Sequence, residues 1–205
     1  MIDKITWLGH ATFKVASAGK VLYIDPWKLR SKQEPADLIL VGHSHYDHFS
    51  PEDIQKISKP STTLIVPSDC AKQVKGNVKI MKPGDVLSVE NVTMEAIPAY
   101  NPNKAFHPKA NKWMGFILTL DGERLYYASD TDLIPEMREI RNIDVALLPV
   151  GGTYTMNPSE AAQAAELIKP RIAIPYHYGD IVGTEKDARE FASLYSGETR
   201  ILTSQ

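Results

Sequence analysis

The segment most suited to chemistry is a histidine-rich loop over residues 43–48. It holds three of the chain's six histidines, His43, His45 and His48, together with Asp47. Neutral imidazole and carboxylate groups are suitable ligands for zinc and related divalent cations. The spacing predicts that His43 and His45 converge on one cation and that Asp47 and His48 serve a second. Histidines satisfied as caps or core residues are the alternative, which this dense clustering makes the weaker interpretation.

Short strands are predicted to position this loop. Residues 37–41 form an apolar run directly before it, so the imidazoles would lie at a strand end on a rigid scaffold. A hairpin is predicted over residues 116–128, because the Asp121-Gly122 pair suits a turn that needs positive φ. Runs rich in β-branched and aromatic residues predict further strands over residues 2–8, 12–16, 21–24, 63–66, 145–150, 171–175 and 200–202.

Three helices have clear start signals. Ser50 and Asn157 are each followed by a proline and, at the third position, by an acidic residue, which is typical of a capped helix start. A third helix is predicted to follow Thr184 and to end near Gly197. Strands dominate early and alternate with helices late. This order predicts an α+β fold in which two sheets pack face to face and helices cover the outside.

Composition limits the class of protein. With 205 residues, 43% hydrophobic and 23% charged, the sequence predicts one domain over residues 1–205. Its 23 basic and 25 acidic residues create no overall basic field, so nucleic acid is not an expected partner. The N-terminal residues lack a secretion-signal pattern, and no apolar run reaches membrane-spanning length. The single cysteine, Cys70, is interpreted as structural, and a cytoplasmic location is expected.

The motif of residues 43–48 resembles the metal-binding signature of the metallo-β-lactamase superfamily. That resemblance implies a four-layer αββα sandwich with a dinuclear centre. It also implies a later aspartate that bridges both cations, matched here by Asp130, and a late histidine of the second site, matched by His177. The alternative for Asp130 is a helix cap, for which Asp132 is the better candidate. For His177 the alternative is a buried histidine at a strand end.

Three further residues are assigned to the centre. Many superfamily members carry another first-site histidine after the strand that here covers residues 94–99. This chain lacks it there, so His107 is assigned as the further ligand, with substrate contact as the alternative. His10 belongs to a Gly-His pair similar to one in the superfamily, and a catalytic role in the pocket is expected rather than metal binding, with an ordinary turn histidine as the alternative. Asp25 resembles the family's acid after an early strand and is expected to orient a ligand.

Over nearly the whole chain the sequence resembles the branch that includes L-ascorbate-6-phosphate lactonase. The resemblance is carried by residues 43–48, 7–12, 129–132, 149–156 and 175–179. It implies a metal-dependent hydrolase that acts on an anionic ester-type substrate, either a phosphorylated lactone or a phosphoester.

Charge and metal chemistry favour the same substrate class. Two divalent cations, zinc with manganese or iron as alternatives, would outweigh the charges of Asp47, Asp130 and a bridging hydroxide, so a small anionic substrate is expected. Such cations lower the pKa of water towards about 7 and so create a hydroxide nucleophile. Asp47 is expected to orient that hydroxide. Lys104, Lys109 and Lys112 could contact a phosphate or carboxylate, or could simply be solvated.

Two other functions remain as alternatives: an iron-dependent redox enzyme of the same fold, such as a sulfur dioxygenase, and a non-catalytic metal-binding protein. Flavin-linked di-iron members usually carry a glutamate at the position of His45, and they need a flavodoxin domain for which this chain has no room. Trp27, Trp113 and Tyr154 fall in predicted loops and could line a pocket or a subunit contact. Homo-oligomerisation is therefore left open.

Overall fold

A computed structural model describes residues 1–17, 19–30 and 32–205. Its strands form two six-stranded sheets, each built by one half of the chain. The first sheet contains, as neighbours in chain order, β1 (Ile5–Gly9), β2 (Thr12–Ser17), β3 (Lys20–Ile24), β4 (Ala36–Leu40), β5 (Ser58–Val66) and β6 (Asn77–Ile80). The second sheet contains, again as neighbours in chain order, β7 (Val86–Val89), β8 (Val92–Pro98), β9 (Met114–Leu120), β10 (Glu123–Tyr127), β11 (Val145–Pro149) and β12 (Ile172–Tyr176).

Both sheets begin antiparallel and end parallel. Strands β1 to β3 and β7 to β10 pair antiparallel, whereas β3 to β6 and β10 to β12 pair parallel. The carboxyl ends of parallel strands meet at one edge of a sheet, and loops placed there can carry functional groups. Asp25 directly follows β3, the histidine loop follows β4, Asp130 follows β10, and His177 directly follows β12.

The helices begin at the predicted caps. They are α1 (Pro51–Ile57), α2 (Pro158–Ile168) and α3 (Glu185–Leu194). The Ser50 hydroxyl accepts a hydrogen bond from the Asp53 N–H, while Asn157 and Glu160 each accept one from the other's backbone N–H. These contacts satisfy N–H groups that a helix start otherwise leaves without a partner. All three helix predictions are confirmed.

Two hydrophobic cores define the layers. Along β4 the side chains alternate, because Leu38 and Leu40 belong to the larger core whereas Ile39 belongs to a smaller one. The smaller core also contains Ile54 and Ile57 of α1, so α1 covers the outer face of the first sheet. Such alternation is expected of a strand with both faces buried.

The larger core lies between the sheets and extends beneath α2 and α3. Phe13 of β2 contacts Tyr127 of β10 and Tyr176 of β12, with ring centroids 6.1 and 5.4 Å apart. The order of layers is therefore α1, first sheet, second sheet, and then α2 with α3. This arrangement confirms the predicted α+β, four-layer αββα sandwich.

Three local expectations are wrong. The strand predicted over residues 2–8 begins only at Ile5, because Ile2–Lys4 is a short 3₁₀ helix. Residues 200–202 form no strand, and only an isolated bridge joins Thr199 to Ala173 of β12. Asp132 does not cap a helix, because the next element is a short 3₁₀ helix over Pro135–Glu139 that has no side-chain cap, and the Asp132 carboxylate instead accepts a hydrogen bond from Lys104. No helix among the described residues combines the length and apolarity needed to cross a bilayer.

Candidate metal centre

The first cluster of possible ligands contains His43, His45 and His107. One ring nitrogen from each lies within 4.8 Å of the others. His43 and His107 are buried and His45 is half-buried. Trp113 packs against these rings, with centroid distances of 5.1 Å to His43 and 4.9 Å to His45, and its indole N–H donates to Asp69. The structure therefore brings His107 to the first two histidines although about sixty residues of chain separate them.

The second cluster contains Asp47, His48, His177 and His10. Their candidate ligand atoms also lie within 4.8 Å of one another, and all four residues are buried. The His10 Nε2 lies 2.9 Å from the Asp47 carboxylate, and the His10 ring lies 4.1 Å from that of His177. His10 thus contacts the acid that the sequence assigned to orienting a nucleophile. The same geometry would also allow His10 to bind a cation.

Asp130 lies between the two clusters. One carboxylate oxygen is 3.3 Å from the Nε2 of His107, 3.2 Å from that of His177 and 4.0 Å from that of His43. The other oxygen is 3.2 Å from the Nε2 of His48. A single carboxylate therefore faces ring nitrogens of both clusters, as a bridging ligand would.

Hydrogen bonds fix which ring nitrogen of His48 faces the centre. The His48 Nδ1 lies 2.7 Å from Asp25, whose carboxylate also accepts hydrogen bonds from the Tyr127 hydroxyl and the Gly42 N–H. This leaves the His48 Nε2 directed towards Asp130. Carboxylates that orient metal-bound histidines in this way are common around metal sites. Asp25 therefore contacts a candidate ligand, and its role in orienting that ligand stays a prediction.

Asn101 orients His107 in the same manner and was not predicted. Its side-chain oxygen lies 2.7 Å from the His107 Nδ1 and accepts a hydrogen bond from the His107 N–H. Its own N–H donates to the His107 carbonyl. Asn101 occurs just after β8, close to where the sequence lacks the histidine found in many superfamily members. That position was the only signal that could have found it.

The protonation states of His43, His45 and Asp130 suit metal ligands. Burial lowers the pKa of His43 well below its ordinary value, and the neighbouring His48 lowers it further. Burial also lowers the pKa of His45, followed by the effect of His107. For Asp130, burial acts to raise the pKa, but the charges of His177 and His48 outweigh it and hold the pKa well below its usual range. Neutral imidazole and ionised carboxylate are the forms that bind cations.

His48 differs from the other histidines. Burial acts to lower its pKa, but Asp130 and Asp25 outweigh burial and raise the pKa well above its ordinary value. A proton on the His48 Nε2 is therefore favoured by the two carboxylates. A cation would compete with that proton for the same nitrogen.

Several buried polar atoms of the centre have no hydrogen-bond partner. They are the Nε2 atoms of His43, His48, His107 and His177, the Nδ1 atoms of His10 and His177, and one oxygen of Asp130. Buried polar groups are normally satisfied, and each exception calls for an explanation. Divalent cations would supply the missing partner to these nitrogen and oxygen donors. The residues present therefore fit a metal centre.

Backbone strain and close packing both occur at the centre. His10, Asp25, Ser129 and His177 all have positive φ, between 45° and 64°. Non-glycine residues rarely adopt this conformation, which is enriched at functional sites. A Cβ atom added to Gly151 would lie 2.5 Å from the His177 carbonyl oxygen. Only a glycine lets this loop approach the His177 backbone so closely.

The lysines near His107 do not face the centre as free charges. Lys104 donates to Asp132 and to the carbonyls of Gly152 and Thr155, and Lys109 pairs with Glu136. The ammonium groups of Lys104 and Lys109 are therefore bound by other groups of the protein. This does not support the expectation that they contact substrate. Lys112 is exposed at the end of a short 3₁₀ helix.

A cavity of about 690 Å³ opens beside His10. Its lining includes Trp7 and Tyr178, together with Lys28 and Asp180, which pair with each other at 2.9 Å. The volume is within the range of about 300–1,000 Å³ typical of small-molecule sites. There is room for a small molecule beside His10.

Comparison with known proteins defines the class of protein. The model of the β-lactamase superfamily domain matches residues 4–177. The structure of Igni18, a metallo hydrolase from Ignicoccus hospitalis, matches with a TM-score of 0.78 over 97% of this chain and 94% of the Igni18 chain, and at 24% identity it supports the fold alone. The chain belongs to the β-lactamase superfamily, with the metallo-β-lactamase fold.

More similar relatives narrow this assignment. The UPF0173 metal-dependent hydrolase of Methanopyrus kandleri is 34% identical, with 92% of this chain and 89% of the relative covered. The corresponding protein of Pyrococcus abyssi is also 34% identical, with 97% and 95% covered. A crystal structure from Parabacteroides distasonis, also named as a metal-dependent hydrolase, has 36% identity and a TM-score of 0.88, with 98% and 93% covered. Within the superfamily this chain groups with these metal-dependent hydrolases.

Proposed function

We propose that this protein is a dinuclear hydrolase that cleaves an anionic ester-type substrate, a phosphorylated lactone or a phosphoester. The observation that carries the proposal is the convergence of two ligand clusters on Asp130, with buried ring nitrogens that have no hydrogen-bond partner. His43, His45 and His107 would hold one cation. Asp47, His48 and His177 would hold the other, and Asp130 would contact both. Zinc is the expected metal, with manganese or iron as alternatives.

Bound cations would supply a hydroxide nucleophile at neutral pH and would polarise the attacked carbonyl or phosphoryl group. The protein's own groups provide the orientation. The Asp47 carboxylate lies within hydrogen-bond distance of the His10 Nε2, which fixes its direction and leaves its other oxygen able to orient the attacking water. Asp25 and Asn101 fix the rings of His48 and His107. Precise placement of such groups is a large part of catalysis.

His10 is proposed as a positioning residue that acts through Asp47. Its own carbonyl accepts hydrogen bonds from the Trp7 indole N–H and from the His177 N–H, so its backbone is held at the centre. Replacement His10→Ala would remove the partner of Asp47 and is expected to lower kcat more than it raises KM. A pH–rate profile would show whether the group that titrates in activity has changed.

The first test is elemental analysis of purified protein, followed by assays on a panel of lactones and phosphodiesters. The proposal expects about two divalent cations per chain and turnover of at least one panel member. An Asp130→Ala variant should lose most of the bound metal, whereas Asp3→Ala, at an exposed acid, should keep it. Full metal retention by Asp130→Ala would contradict the bridging role. No turnover of any panel member by metal-replete protein would contradict the hydrolase proposal.

A further inference from the structure

Exposed aromatic side chains stand beside the metal centre. Among the described residues, Tyr46 is 67% exposed and Phe106 is 44% exposed. Tyr46 lies between His45 and Asp47 in the chain, and Phe106 immediately precedes His107. A single exposed apolar residue needs no explanation. Two large exposed aromatic residues that are both immediate chain neighbours of candidate ligands are less easily attributed to chance.

Each of these residues contacts a second aromatic ring. Tyr46 packs edge-on against Trp27 at 5.9 Å, and Trp27 in turn contacts the His10 ring at 5.2 Å. This first pair therefore adjoins the second ligand cluster. We refer to Trp27, Tyr46, Phe106 and Tyr154 as the aromatic rim.

The second pair adjoins the other ligand cluster. Phe106 meets Tyr154 at 4.7 Å with perpendicular rings. The carbonyl of Tyr154 accepts a hydrogen bond from Asn101, the residue that orients His107. One aromatic pair thus accompanies His10 and Asp47, and the other accompanies His107.

Three lysines near the centre are already paired within the protein. Lys104, Lys109 and Lys28 are each paired with an acidic side chain. The Lys28 ammonium also lies 4.2 Å from the centroid of the Trp27 ring, which adds to the packing of that ring. The aromatic rim therefore offers exposed ring surface beside the centre, while Arg30 and Arg189 line the neighbouring cavity.

We propose that the aromatic rim binds a flat, apolar part of the substrate, an aryl or similar planar group, while its anionic ester group lies at the metal centre. This inference rests on the proposed function for the identity of the anionic group. Aromatic pairs contribute about 0.5–1.5 kcal/mol beyond area burial, which corresponds to a preference of roughly two- to tenfold for each ring contact. The rim is thus proposed as a specificity determinant.

The test compares two ligands that share an anionic head and differ only in the apolar part. Phenylphosphonate and methylphosphonate are titrated into metal-loaded protein by isothermal calorimetry, with metal content measured on every sample. The protein is expected to bind phenylphosphonate about tenfold more tightly or better. Replacements Tyr46→Leu and Phe106→Leu, which keep bulk but remove the ring, should each reduce that preference by about threefold. Tyr46→Phe and Phe106→Tyr should retain it.

The matched control is Val86→Ala, since Val86 is also 67% exposed but lies on β7. It should leave the preference unchanged. Equal affinity of the unaltered protein for both phosphonates would overturn the inference, as would an unchanged preference in both leucine variants at full metal content. Because this readout is binding, a protein that prefers phenylphosphonate but hydrolyses no ester would contradict the proposed function and not the rim.

Discussion

At the scale of single residues, the centre depends on side chains that hold other side chains. Asp25 fixes His48, Asn101 fixes His107, and the His10–Asp47 pair fixes a carboxylate. A ligand whose ring is already oriented loses less freedom when it binds a cation, and outer partners of this kind typically change metal affinity by about 10–100-fold. Asn101 is the most informative of them, because it contacts His107 through three hydrogen bonds.

Replacement Asn101→Ala is expected to weaken binding at the first cluster by about 10–100-fold, because the His107 Nδ1 loses its partner and the ring can rotate. Competition titration against a chromophoric chelator would measure the affinity. Asn103→Ala, at an exposed position two residues further on, is the control and should bind normally. Unchanged affinity in Asn101→Ala would show that His107 is oriented by something else, or is not a ligand.

The sequence predicted some of the residues of the candidate site and missed others. Residues 43–48 stand out because their donor atoms are close together in the chain itself. Asp130 and His177 were assigned only through the superfamily resemblance, and the structure places both beside that loop. Asn101 had only its position after β8 as a signal, and Tyr127 had none, since an asparagine or a tyrosine orients a ligand only after distant segments have packed together.

At the scale of elements, the centre lies on loops that directly follow strands, and those loops pack without room for extra atoms. A Cβ on Gly42 would lie 2.3 Å from the Ser129 hydroxyl, and one on Gly151 would lie 2.5 Å from the His177 carbonyl. Each of these close contacts joins loops that follow two different strands: β4 and β10 for Gly42, and β11 and β12 for Gly151. The spacing of the ligand loops is thus set by backbone contact.

Replacement Gly151→Ala is therefore expected to displace the His177 loop. Overpacking of this kind costs about 1–3 kcal/mol, and the second cluster should bind metal more weakly. Gly197→Ala provides a matched comparison, because its Cβ would meet the Tyr195 ring at 2.4 Å, outside the ligand loops. That variant should lose stability in urea unfolding without losing metal affinity. If both variants keep the full metal content, the close approach at Gly151 does not position His177.

Elements were predictable where their signals are local. The caps at Ser50 and Asn157 and the Asp121-Gly122 turn act within a few residues, and the structure contains all three. Strands β6 and β7 were not predicted, because they are largely exposed and therefore lack a buried, alternating pattern. For residues 200–202 the reverse holds, because a strand was predicted there and none forms. Ile201 and Leu202 are apolar, but the bridge to β12 that the described residues contain joins Thr199 to Ala173.

At the scale of the whole molecule, the candidate ligands are divided between the two sheets. His10, Asp25 and residues 43–48 come from the half that builds the first sheet, while His107, Asp130 and His177 come from the half that builds the second. A cation bound by both groups therefore links the sheets. Binding to the folded state alone raises stability in proportion to the logarithm of ligand concentration over its dissociation constant.

Removal of metal with a chelator should accordingly lower the unfolding temperature. At a metal concentration about 1,000 times the dissociation constant, the lost stabilisation is about 4 kcal/mol, which corresponds to roughly 8–16 °C for a chain of this size. Differential scanning calorimetry would measure the change, and re-addition of zinc should reverse it. An Asp130→Ala variant should show a much smaller chelator effect. Equal unfolding temperatures with and without metal would show that the centre does not link the sheets.

The division of ligands has a consequence for synthesis. A growing chain that has exposed only the histidine loop still lacks Asp130 and His177, which are made much later. The early segment alone offers an incomplete and unoriented set of donors, so firm capture of a cation has to wait until the second half has emerged and folded. Loading with metal would then be one of the last steps of maturation, and an incomplete or misassembled polypeptide would be left without its cofactor.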